Sequence, residues 1–224
     1  IFIADSLKSK FFAHPYLKRR QSDFENKCLI IYNGIDEFWL NNLVVHKSKG
    51  KKQNKILYVG SLIRRKNAVS LARAVINLND SGTECTLTIV GSGGKDYETI
   101  RNMEQNNESI IYLGGVSDYG KLQRIYKSHD IFAMPSEHET FGLVYIEALS
   151  QGLPVLFSRN EGIDGLFDFK VGEVCNGGQL DSITNGLKQL IDTDYSYPLN
   201  KIDFSVFDWN PISKNYIRLY KEMV

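Results

Sequence analysis

The sequence predicts a Rossmann-like α/β domain in which a parallel sheet is doubly wound by helices. Three observations carry that prediction. Short apolar runs alternate with longer stretches of helical period, as strand–helix alternation requires. Many of the runs are apolar almost throughout, as expected of strands covered by helices on both faces. The 224 residues, 42% hydrophobic and 24% charged, are ordinary globular material. That composition excludes disorder, collagen-like repeats and a coiled coil.

The strand candidates are residues 1–4, 28–32, 56–59, 85–90, 110–113, 131–134, 154–157 and 173–175. The first helical stretch is 66–78, where Val69, Leu71, Ala72, Val75 and Leu78 recur at helical spacing. Further helices are read at 121–128, 142–151, 180–191 and 211–223. Asn33-Gly34 reads as a turn. In a sheet of this kind ligands bind at the carboxyl ends of the strands, so the loops there carry the function.

Twenty-seven Lys and Arg against 26 Asp and Glu leave a net charge of +1. That is too small for a nucleic-acid partner to be read from bulk charge. Cys28, Cys85 and Cys175 are odd in number and widely spaced. They make neither a disulfide framework nor a zinc knuckle, and fit a cytoplasmic protein. No apolar run reaches the roughly 18–20 residues that span a bilayer. An apolar start without Met reads as a cut through a longer protein. Residues 47–55 form a basic stretch without apolar residues. It is read as a solvated loop, with attraction to anionic lipid at the inner face of the membrane as the sharper alternative.

Two glycine-rich loops invite a nucleotide. Gly60-Ser61-Leu62-Ile63-Arg64-Arg65-Lys66-Asn67 lies between a strand and a helix, where backbone amides and neighbouring cations suit a diphosphate. Gly91-Ser92-Gly93-Gly94-Lys95 fails both standard templates, because Asp96 stands where either would need Gly or Ser/Thr. It is read as structural.

The stretch 135–155 is the most informative. Glu139-Thr140-Phe141 feeds a helix starting near Gly142–Leu143, and Gly152 with Pro154 ends it. Free amides and the positive dipole end at that start suit an anion. Helix geometry disfavours Glu139 and Glu147 as a hydrolytic pair without excluding it, since a loop could fold Glu139 back. On one helix, eight residues would separate them by ~12 Å, beyond the roughly 5–9.5 Å of glycosidase carboxylates. Two carboxylates further apart suit hydroxyls on two parts of an elongated ligand. His138 beside them is read as structural or solvated.

The run Glu139-Thr-Phe-Gly-Leu-Val-Tyr-Ile-Glu147-Ala resembles the E-x7-E signature of retaining GT-B glycosyltransferases of family 4, the glycosyl transferases group 1 superfamily. Other segments resemble the same family in order. They are Ile30-Ile31-Tyr32-Asn33-Gly34-Ile35-Asp36, with Tyr32 in place of the usual proline, then the Gly60–Asn67 loop, Ile89-Val90-Gly91-Ser92-Gly93 and Leu113-Gly114-Gly115-Val116. The resemblance implies the C-terminal, donor-binding half of a GT-B fold. Residues 1–36 would be a remnant of the N-terminal domain with the interdomain segment. Residues 37–209 would be the nucleotide-sugar domain, and 210–224 a crossover helix loosely held here.

By matching position, the resemblance gives Lys66 the diphosphate, with Gly60 and Ser61 in the same loop. Ser61 stands where the family has Arg, and Arg65 or Arg64 is the candidate replacement. Glu139 would bind and face the transferred sugar, and the backbone of Phe141, Gly142 and Leu143 would touch sugar and phosphate. Glu147 would bind ribose, with Val116 and Lys121 near the base. Lys66 and Glu139 are the candidate catalytic residues. The implied donor is a UDP- or GDP-sugar, without a metal or other cofactor. The implied acceptor is a glycan or a lipid-linked glycan, as in polysaccharide biosynthesis, reached through the missing domain. Two alternatives stay open: a nucleotide-sugar-binding module without catalysis, and a related GT-B enzyme such as a sugar-nucleotide epimerase or glucan synthase.

Overall fold

A computed structural model describes residues 1–44, 54–193 and 197–222. Helical pieces come first: α1 (Asp5–Ala13), α2 (Pro15–Lys18), α3 (Gln21–Phe24) and α4 (Glu37–Leu40). Strand and helix then alternate as β1 (Lys55–Val59), α5 (Ala68–Asp80), β2 (Thr86–Val90), α6 (Tyr97–Asn106) and β3 (Ile110–Gly114). They continue as α7 (Tyr119–Lys127), β4 (Ile131–Ala133), α8 (Leu143–Ser150), β5 (Val155–Ser158), β6 (Gly172–Cys175) and α9 (Leu180–Asp192). The last helix is α10 (Trp209–Glu222).

The six strands form one parallel sheet in the order β3-β2-β1-β4-β5-β6. Apolar strand composition has the expected cause: Ile56, Leu57 and Tyr58 of central β1 are fully buried, as are all three residues of β4. Each such aliphatic side chain contributes about 1.5–3 kcal/mol on burial. The order reverses between β1 and β4, so the chain leaves these adjacent strands in opposite directions. A crevice opens at their carboxyl ends.

Three expectations need correction, and one helix went unread. Segments 1–4 and 28–32 are not sheet strands; they share one isolated parallel bridge, Phe2 to Ile30. Asp5 starts a helix at once, and so short a two-stranded pairing cannot grow into a ladder. The helix read from Lys66 begins instead at Ala68, because Asn67 turns left-handed at φ 63° and breaks it from a 3-10 turn at Arg64–Lys66. Helix α6 is absent from the sequence reading. Its apolar stripe is limited to Tyr97, Ile100 and Met103 among polar residues, and only Ile100 is fully buried, so the stripe is too narrow to stand out.

Among the described residues no helix is long and apolar enough to cross a membrane. Most of the basic stretch 47–55 lies outside the described residues; its last residue, Lys55, opens β1. Helix α10 takes in 211–222 of the predicted 211–223 helix, residue 223 lying outside the described residues; it buries only Ile212, leaving Trp209, Ile217 and Tyr220 exposed.

Candidate functional site

Two loops diverge from the crevice. One runs from the end of β1 through Gly60 and the Arg64–Lys66 turn to Asn67; the other runs from β4 through residues 134–142 to α8. Backbone and side-chain bonds lace them together. The Arg65 carbonyl accepts from the Ser136 hydroxyl at 3.0 Å and from the Glu137 N–H at 2.7 Å. Asn67 Nδ2 donates to the Pro135 carbonyl at 3.1 Å and also to the Gly177 carbonyl. At the centre the Lys66 ammonium pairs with Glu139 Oε2, and both side chains are largely buried.

The Gly91–Gly94 loop braces the first of these loops. Gly60 N–H donates to the Val90 carbonyl and Leu62 N–H to the Gly93 carbonyl, both at 2.9 Å. A Cβ on Gly91 would stand 1.8 Å from the Gly60 carbonyl oxygen, so only glycine allows the approach. The structural reading of this loop follows from that contact.

Helix α8 starts where the sequence puts it. Gly142, at φ 78°, precedes Leu143, and a Cβ there would lie 2.5 Å from the Tyr145 ring. The first amides of α8 have no helical acceptor and form a positive end beside Glu139. Glu139 lies before the helix, its carbonyl accepting from Gly162 N–H at 3.0 Å. Its side chain is held by Lys66. Phe141 is buried, and Tyr32 stacks on it with ring centroids 6.1 Å apart. Tyr32 also donates its hydroxyl to Asp5 at 2.8 Å.

Glu147 lies inside α8, half-buried, where Tyr126 donates to its Oε2 at 3.2 Å. Burial pushes its carboxyl up to about 7. The Tyr126 bond acts the other way and the nearby charge of Asp36 adds to the rise. Asp36 is also a partner of the Tyr119 hydroxyl. It caps α4 by accepting from Phe38 N–H.

The structure thus brings Lys66, Glu139 and the Gly142 helix start into one crevice. Ser61 and Arg65 are exposed on the same loop. Val116 lies in the neighbouring β3–α7 connection and Lys121 in the first turn of α7, where its N–H is used by the Asp118 cap. His138 is exposed, with a left-handed φ of 59°. The sequence reading missed Asn67, Ser136 and Tyr126. For Asn67 a signal existed, since a polar residue before an apolar helical run marks a helix start.

The family model for glycosyl transferases group 1 matches residues 43–201, which include both loops and both glutamates. The chain belongs to that family. An uncharacterized glycosyltransferase, MJ1607 of Methanocaldococcus jannaschii, is 31% identical over 215 residues, 88% of this chain and 54% of the relative. A GDP-mannose-dependent α-(1-6)-phosphatidylinositol monomannoside mannosyltransferase of Mycolicibacterium smegmatis is 30% identical over 147 residues, 61% of this chain and 38% of the relative. Among solved structures, the apo form of the lipopolysaccharide outer core galactosyltransferase WaaB superposes with a TM-score of 0.68 at 21% identity. That match covers 88% of this chain and 56% of WaaB, and at such identity it speaks for the GT-B fold alone. The chain spans about half the length of its first relative. This glycosyl transferases group 1 chain therefore carries the Rossmann-like half in which the E-x7-E motif lies.

Proposed function

We propose that this chain is the nucleotide-sugar-binding half of a retaining glycosyltransferase. The whole enzyme would move a sugar from a UDP- or GDP-sugar to a glycan or lipid-linked acceptor, without a metal or other cofactor. The observation that carries this reading is the meeting of Lys66, Glu139 and the α8 N-terminus at one crevice. Anion-binding and hydroxyl-binding groups stand side by side there.

In this reading the diphosphate lies between the Gly60 loop and the start of α8, with Lys66 and the helix amides as its positive partners. As the glycosidic bond breaks, the bonding pair leaves with the diphosphate. The same charges stabilise that developing anion, which is electrostatic catalysis of departure. Glu139 receives hydroxyls of the transferred sugar. Glu147, deeper in α8, receives ribose hydroxyls, with Val116 and Lys121 flanking the base. Lys66 is held by Glu139, so a donor bound here would draw the ammonium from carboxylate to phosphate. Ser61, standing where the family has Arg, leaves Lys66 as the principal cation, with exposed Arg65 beside it.

The relatives are about twice as long as this chain, so we assign the acceptor site to a domain outside it. This chain alone is then expected to bind donor without transferring sugar. Free Cys28, Cys85 and Cys175 fit a cytoplasmic protein. Calorimetric titration with UDP-, GDP- and ADP-sugars tests the assignment. One-to-one binding of a UDP- or GDP-sugar supports it, and no binding of any sugar nucleotide at millimolar concentration removes it.

A further inference from the structure

A cavity of about 290 Å³ opens at the carboxyl ends of β4, β5 and β6. Its walls include Ser136 and His138 from the loop after β4, Ser158, Arg159 and Asn160 from the end of β5, and Asn176 after β6. Neither Lys66 nor Glu139 lines it, although the 136–138 segment runs directly into Glu139. None of the donor-site roles proposed above uses these groups.

Two features mark it as a prepared site. The Ser158 hydroxyl is buried, with the residue 3% exposed, and has no hydrogen-bond partner. The Cys175 thiol, a poor acceptor, lies beside it. An unsatisfied buried hydroxyl costs free energy unless a ligand supplies the bond. In addition, all three left-handed non-glycine residues among the described residues converge on this place. His138 and Asn160 line the cavity, and the Asn67 side chain clasps the Pro135 and Gly177 carbonyls behind it. Backbone of this kind gathers where a site is being shaped.

The lining chemistry selects the ligand. Hydroxyls and amides both donate and accept, as a polyol requires. The charges cancel: Arg159 is offset by Glu137, and Glu161 is paired with Lys10 at 2.5 Å. A neutral ligand fits better than an anion. The volume is at the low end for small-molecule sites, suited to one ring and too small for a nucleotide. We propose that this cavity is a second carbohydrate site, holding one neutral hexose unit of a glycan. It does not depend on the donor assignment.

The test is amide-resolved NMR on this chain, titrated separately with the methyl α-glycosides of glucose, mannose and galactose, and with inorganic phosphate. At least one glycoside should bind saturably in the millimolar range, moving the amides of His138, Asn160 and Gly177. Saturating UDP or GDP should leave that binding in place. Asn176→Ala and Arg159→Ala, both at exposed positions, should each weaken it at least fivefold, and Ser158→Ala should do so while the fold is kept. No shift with any glycoside, shifts with phosphate alone, or displacement of the glycoside by nucleotide would each overturn the proposal. Glycoside binding by a chain that ignores UDP and GDP would uphold it and count against the donor reading instead.

Discussion

The Lys66 ammonium is paired with the Glu139 carboxylate across the crevice between β1 and β4, joining residues 73 apart in the chain. The cation proposed for the diphosphate and the carboxylate proposed for the sugar are therefore each other's partners. Neutralising either one changes the other, and that coupling can be measured.

Removing Lys66 should leave Glu139, 6% exposed, as an uncompensated buried charge. Lys66→Ala is expected to cost about 1–3 kcal/mol of stability, and the double variant with Glu139→Gln should recover part of it. Urea unfolding of the two single variants and the double variant measures the coupling. Strictly additive losses would mean that the pair contributes nothing to the fold.

The two glutamates should divide the ligand between them. Glu147→Gln is expected to weaken UDP or GDP and the sugar nucleotide alike, by about 1–3 kcal/mol, because each contains ribose. Glu139→Gln should weaken only the sugar nucleotide, by a similar amount. Bare nucleotide should bind Glu139→Gln as well as wild type or better, since Lys66 is then released to the phosphates. Calorimetry with nucleotide and sugar nucleotide checks this, and equal losses of bare nucleotide in both variants would sink the division of roles.

Much of this arrangement was legible in the sequence, and the reason is local. The inner strands β1, β2, β4 and β5 are apolar runs because helices bury both faces, and Glu139 and Glu147 declare themselves by spacing around a helix start whose stop signals, Gly152 and Pro154, are also local. What the sequence withheld is of two kinds. Helix α6 offers only Tyr97, Ile100 and Met103 as a narrow stripe among polar residues, too little to read. The Lys66–Glu139 pair, the Asn67 clasp and the Tyr126 bond to Glu147 join residues 73, 68 and 21 apart. The first two exist because the strand order sets β1 beside β4, and the third joins the helices that precede and follow β4.

Glu147 should make stability fall as pH rises. Its carboxyl is lifted from about 4.5 to about 7 by burial. Between those values the folded chain keeps a proton that the unfolded chain has released. Stability is then highest near or below pH 4.5, as far as this group is concerned, and declines until about pH 7. The decline should reach at most roughly 3 kcal/mol, and less because the side chain is only half-buried. Chemical unfolding across this range, wild type against Glu147→Gln, isolates the contribution. A slope that survives unchanged in the variant would assign it to other groups.

Gly91→Ala should damage the diphosphate loop from outside it. The added methyl would meet the Gly60 carbonyl at 1.8 Å, so the two loops must part. A stability loss of about 1–3 kcal/mol is expected for such overpacking, with weaker binding of UDP or GDP. Thermal unfolding and nucleotide titration of the variant together check it. Unchanged nucleotide affinity would show that the brace does not shape the phosphate site.

The most direct test of the central claim is titration of wild type and Lys66→Ala with UDP and GDP, alongside uridine and guanosine. Wild type should bind one of the diphosphates one-to-one. Lys66→Ala should weaken that diphosphate by about 1.5–3 kcal/mol, the range for a charge-assisted bond, and leave the matching nucleoside nearly unchanged. Equal binding of the diphosphate by both proteins, or no binding by either, would contradict the assignment of this crevice to a nucleotide-sugar diphosphate.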